Sequence, residues 1–92
     1  MKQPDSTLTA LVGTNVFVRT VTHYHVGKLI AVTPGFLTLS DCSWVADTGR
    51  FGQALSAGTL NEVEVFPHDV HVSIGAVIDI TAWTHNLPTA SK

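Results

Sequence analysis

The chain has 92 residues, 45% of them apolar and only 13% charged, with a net charge of −2. That length holds one domain, and about half the usual ~25% of charged residues excludes a disordered, charge-rich chain and leaves a small domain short of polar cover, which favours an oligomer. The slight acidity is a poor footprint for phosphate-driven, non-specific nucleic-acid binding, and the single cysteine, Cys42, excludes an internal disulfide and a multi-cysteine zinc site.

Val, Thr and Ile fill 28 of the 92 positions. Side chains branched at Cβ are stiff and fit the pleated surface of a strand, so the class is mostly β. A short helix over about 6–12 opens the chain. Asp5 or Ser6 caps it, Leu8, Leu11 and Val12 share one face, and Gly13 ends it. One or two turns are unstable alone, so this helix must pack on the sheet. Asn15–Thr22 alternates as a first strand, with Val16, Val18 and Thr20 on one side and Phe17, Arg19 and Val21 on the other. Val26–Thr33 is a second strand, bent at Gly27. Pro34-Gly35 is the clearest turn, with Pro presetting one torsion and Gly taking a positive one. Phe36–Val45 is a third strand.

Residues 46–61 carry Gly49, Gly52 and Gly58 and are expected to make a surface excursion, with a helical piece around Arg50–Ser56. Glu62–Phe66 alternates as a strand with one wet face, and Pro67-His68-Asp69 turns the chain. Val70–Ile74 and Val77–Trp83 are further strands, separated by Gly75-Ala76. The polar tail, about 84–92, is expected to fray. The whole reads as one domain over residues 1–92. No run approaches the ~18 apolar residues that span a bilayer, and Met1–Ser6 leads into no signal-peptide core, so the expected location is the cytoplasm.

In order and spacing these segments resemble the Sm-like (LSm, Hfq-type) proteins. Pro4, Leu8, Leu11, Val12, Gly13, Val16 and Val18 resemble the opening helix and first strand. Gly27–Val32 followed by Leu37–Cys42 resembles the first Sm motif, and Val72–Ile80, with its Ile74-Gly75 turn, the second. The resemblance implies a small open barrel of about five strongly bent strands with a short N-terminal helix, assembling into a ring of about five to seven copies. Ring closure satisfies edge strands that an open barrel leaves unpaired. The family binds RNA at the loop between its second and third strands and at the turn between its fourth and fifth. Those positions here are Thr33, Gly35 and Phe36, and Ile74, Gly75 and Ala76. The ligand implied is single-stranded RNA or a small nucleotide, with Phe36 stacking and the Gly35 and Gly75 amides facing an anion.

The sequence departs from the family pattern at those same positions. Thr33-Pro34-Gly35-Phe36 lacks the usual Asp and Asn, and no basic residue flanks Gly75. Two other readings therefore stand beside RNA binding. One is a structural or assembly ring, docking another protein through the excursion. The insertion around Trp44–Phe51 is what a phage or prophage Sm-like protein would carry, and the location would then be the host cytoplasm. The other is a protein that sequesters a nucleotide signal in subunit-interface pockets built from Trp44, Arg50 and Phe51.

No chemistry-bearing pattern competes with binding. His23 and His25 share a strand face, but three or four convergent ligands are needed for zinc. The five histidines are expected at the surface or at subunit contacts, or facing a pore as an anion site when protonated. Asp41, Asp47, Asp69 and Asp79 lie near no nucleophile elbow, phosphate loop or metalloprotease motif. No catalytic residue, metal or cofactor is expected, and Cys42 is expected to be inert.

Overall fold

The computed structural model describes residues 6–92. Pro4 and the proposed cap Asp5 lie outside the described residues. Helix α1, Ser6–Thr9, is shorter than the expected 6–12. It continues as tight turns, with Leu11 N–H donating to Leu8 O at 3.0 Å and Thr14 Oγ1 to Leu11 O at 2.6 Å. Such three-residue closures tighten a helix too short to hold an α ladder. Leu8 and Leu11 pack on the sheet, whereas Val12 is turned outward, against the expectation of one shared face. Gly13, at φ +93°, lets the chain reverse, and its N–H donates to Leu29 O at 2.7 Å.

Six strands follow: β1 Asn15–Thr20, β2 Tyr24–Val32, β3 Phe36–Asp47, β4 Glu62–Val65, β5 Val70–Ser73 and β6 Val77–Ala82. Helix α2, Phe51–Ala57, lies between β3 and β4, and one turn of 3-10 helix, Ile74–Ala76, joins β5 to β6. The antiparallel sheet runs β4-β3-β2-β1-β6, with β5 on β3. The long β3 carries both short strands: Phe36–Leu39 pairs with β5 and Ser43–Asp47 with β4. Taken as one strand interrupted at Pro67, β4 and β5 make this a sheet of five strongly bent strands. The expected mostly-β class and bent sheet are both present.

The bend has a local cause. Asp41 is the only non-glycine residue with positive φ among the described residues, at +49°. Opposite it, the pairing slips between Val26 and Lys28, around Gly27. A Cβ on Gly27 would lie 3.0 Å from Cys42 Cα and 3.1 Å from Ser40 O. The glycine allows β3 to close onto β2 at the kink.

Bending the sheet gives two cores. Val16, Val18, Leu29, Leu37, Leu39, Cys42 and Val72 form the first, closed by the α1 segment. Phe17, Val26, Val45, Ala54, Leu60, Val63 and Trp83 form the second. Strand β1 therefore buries Val16, Phe17 and Val18 in succession, an unbroken apolar run suited to a strand covered on both faces. The second core is roofed by α2 and by the C-terminal segment. That segment is docked, not frayed: Leu87 packs into the second core, and Val63 and Lys92 exchange two backbone hydrogen bonds at 2.9 Å each.

Candidate functional site

The two segments singled out by sequence lie together. Strand β3 pairs Phe36 with Ser73, and Ile74 N–H donates to Gly35 O at 3.0 Å. The β2–β3 hairpin is thus fastened to the 3-10 turn, and Thr33, Gly35, Phe36, Ile74, Gly75 and Ala76 form one continuous edge of the fold. Phe36 is 49% exposed. A Cβ on Gly35 would meet nothing within 4 Å, and one on Gly75 only Ser73 Oγ at 3.7 Å, so the surface beside Phe36 is open.

Two local expectations are corrected. Gly35 is not among the positive-φ glycines, which are Gly13, Gly49 and Gly58. The hairpin is held instead by Thr33, whose N–H donates to Phe36 O at 2.9 Å and whose Oγ1 accepts from Phe36 N–H at 3.1 Å. The same hydroxyl accepts from Gly35 N–H at 3.4 Å, so that amide already has a partner and is not turned to an anion.

Trp44, Arg50 and Phe51 are distributed over different neighbours. Phe51 opens α2 and packs its ring 5.9 Å from Phe17 and 6.3 Å from Tyr24. Arg50 caps α2 and is exposed. It does not pair with Asp47, whose Oδ1 accepts from Gly49 N–H at 2.8 Å. Trp44 stands edge-on to His23, with ring centres 5.2 Å apart.

Sequence reasoning missed the company that Trp44 keeps. Trp44 lies opposite His25 on β2. His23, His25, Trp44 and Phe66 line a cleft of about 170 Å³, with His25 stacked 6.0 Å from Phe66. A second cleft of about 380 Å³ adjoins it, sharing His23 and Trp44 and adding Arg19 and Ile78. The available signal was the His-x-His spacing on one strand face. Phe66 arrives only through tertiary pairing, its N–H donating to Cys42 O at 2.9 Å.

Electrostatics in this region is local. Burial, and secondarily the charge of His23, pushes His25 below the usual histidine range, and its Nδ1 is buried without a partner. Arg19 holds Asp79 across β1 and β6 through Nε, at 2.9 Å to each carboxylate oxygen, and through Nη2. That pairing lowers the Asp79 carboxyl and raises the guanidinium. The Arg19 guanidinium also lies 5.5 Å above the Phe51 ring. His71 meets Thr38 Oγ1 at 2.9 Å, and His85 donates from Nε2 to Leu55 O at 2.8 Å. Among the described residues no three His, Cys, Asp or Glu side chains converge as metal ligands. Burial raises the Cys42 thiol to about 12, consistent with an inert packing residue. No helix among the described residues is long and apolar enough to cross a membrane.

Comparison with solved structures places this arrangement. The chain is similar to a heptameric archaeal Sm protein, described for its implications for the eukaryotic snRNP core. The TM-score is 0.63 at 20% identity, covering 85% of this chain and 97% of that one. The fold is Sm-like. No family model and no curated protein matches the sequence.

Proposed function

We propose that this Sm-like chain closes into a ring of about five to seven copies and works by binding, not by catalysis. In this reading the outer edge of β5, Val70–Ser73, pairs with the outer edge of β6, Val77–Ala82, in the next copy. Within the chain β5 pairs with β3 and β6 with β1, so each strand keeps one edge for a neighbour. Ile78, 61% exposed on β6, would be covered by closure. The archaeal neighbour, itself heptameric, supports the same assembly.

The ligand proposed is single-stranded RNA or a small nucleotide, held where Phe36 meets the Ile74–Ala76 turn. The observation that carries this is the Ile74–Gly35 hydrogen bond, which joins the two segments beside an exposed aromatic ring. Every base has a π-face, so stacking on an aromatic tolerates any sequence. Phe36→Ala tests the site. Affinity for a short single-stranded RNA should fall about fivefold or more, in line with ~1–3 kcal/mol per stacked base, with ring size unchanged. Unchanged affinity removes Phe36 from the site.

A structural ring that docks another protein through residues 46–61 is the second reading. It is favoured by the absence of Lys and Arg from both Thr33–Phe36 and Ile74–Ala76, and by the net charge of −2. Salt separates the two. RNA affinity should fall steeply between low and physiological salt, whereas contact with a protein partner or a stacked, sequestered nucleotide should change much less.

A further inference from the structure

One cleft is lined by aromatic rings alone. His23, His25, Trp44 and Phe66 enclose about 170 Å³, and among the described residues neither Lys nor Arg joins them. The rings come as two pairs. His23 and Trp44 meet edge-on at 72°, whereas His25 and Phe66 lie nearly parallel at 21°, 6.0 Å apart. Walls set at such different angles suit a rounded group better than a flat one, which seeks a parallel face on which to stack.

The volume sets the size of the occupant. A cavity of about 150 Å³ holds one benzene, and pockets for drug-sized ligands begin near ~300 Å³. The cleft therefore takes one compact group and not a whole nucleotide. Charge sets its sign. The face of an aromatic ring is the negative pole of its quadrupole and attracts a cation. Burial keeps His25 uncharged, so its imidazole does not repel one. Glu64 is exposed and pairs directly with Trp44 in the β3–β4 register, which puts a carboxylate on the cleft's face of the sheet. The guanidinium of Arg19 lines the adjoining cleft, but Asp79 already holds it, so it offers little to an anion.

We propose that this cleft binds a small quaternary ammonium compound of about choline's size, its trimethylammonium group among the four rings and its charge balanced by Glu64. Such a cation has no N–H that must find an acceptor, so aromatic walls desolvate it without leaving a donor unpaired. None of the four rings belongs to β5 or β6, so the site rests neither on the proposed ring nor on the Phe36 edge.

The test is a titration of the full chain with choline chloride at about pH 8, above the ordinary histidine range, read by NMR. Choline chloride replaces sodium chloride throughout, so ionic strength stays constant. The Trp44 indole and the His23 and His25 rings should shift saturably, while the Trp83 indole, buried in the second core, stays in place. Dimethylbutanol, the neutral isostere with carbon in place of nitrogen, should bind about fivefold more weakly or worse. Glu64→Gln, at an exposed position, should weaken choline about twofold or more and leave the isostere unchanged. Absence of saturable shifts in the four rings overturns the site. Equal affinity for choline and dimethylbutanol overturns the cation, and an unchanged Glu64→Gln overturns the carboxylate's part. Tighter binding of adenosine or uridine at the same resonances overturns the assignment in favour of a nucleobase. Tighter binding of a trimethyllysine peptide than of choline overturns the small compound as occupant.

Discussion

Gly27→Ala probes the bend on which the fold depends. The added Cβ would sit 3.0 Å from Cys42 Cα, 3.1 Å from Ser40 O and 3.2 Å from Cys42 Cβ. Two of those atoms belong to the backbone of β3, on either side of Asp41, whose φ of +49° already holds the strand in an uncommon conformation. The neighbours cannot swing aside as a flexible side chain would. Forcing a methyl into a packed site costs about 1–3 kcal/mol. Restricting the unfolded chain returns about 0.4–1 kcal/mol. The net expectation is a loss of about 1–2 kcal/mol, and each 1 kcal/mol lowers Tm by about 4–8 °C in a domain this size. Thermal and urea unfolding at one fixed protein concentration measure it, since any self-association makes Tm concentration-dependent. A midpoint equal to or above wild type would show that β3 yields freely at Cys42, and the account of the bend would fail.

Three further outcomes follow from single residues. Gly58→Ala places a methyl at φ +75° and 2.6 Å from His85 Cγ, so it should cost about 1–2 kcal/mol and loosen the His85–Leu55 contact, read by unfolding and by the His85 ring resonances. His25 is held neutral by burial, so its folded pKa lies below the unfolded one. Its contribution is complete above about pH 6.5 and is lost as pH falls below that value. His25→Phe should flatten the decline in stability as pH falls below about 6.5, and an unchanged slope refutes the assignment. Cys42, buried with its thiol raised to about 12, should resist a thiol reagent at pH 8 in the native protein and react fully in denaturant. Rapid native labelling would contradict its place in the first core.

Much of the fold was legible because strand signals are local. The β-branched runs, the glycine at the β2 bend and the Pro67 break follow from what single side chains permit, and each appears where those residues stand. The adjacency of Thr33–Phe36 to Ile74–Ala76 could be stated in advance only through the resemblance, since about forty intervening residues return the chain to that edge. The detail of the hairpin was misjudged because Thr33 Oγ1, not a positive-φ glycine, closes it. Val12 was misplaced because the helix ends at Thr9, before its facial periodicity reaches that position.

The sequence by itself determined the class, the order of strands and the poverty of charge, because these depend on residue type and spacing. The tertiary structure decided which faces are buried. Phe17 is buried between Val16 and Val18 because α2 and the C-terminal segment cover a face that a lone sheet would leave wet. It also decided the company of Trp44 and the closure of the β4 edge by Lys92. Such contacts join residues distant in the chain, and their energy depends on the geometry left after the bent sheet has packed, which no local pattern encodes.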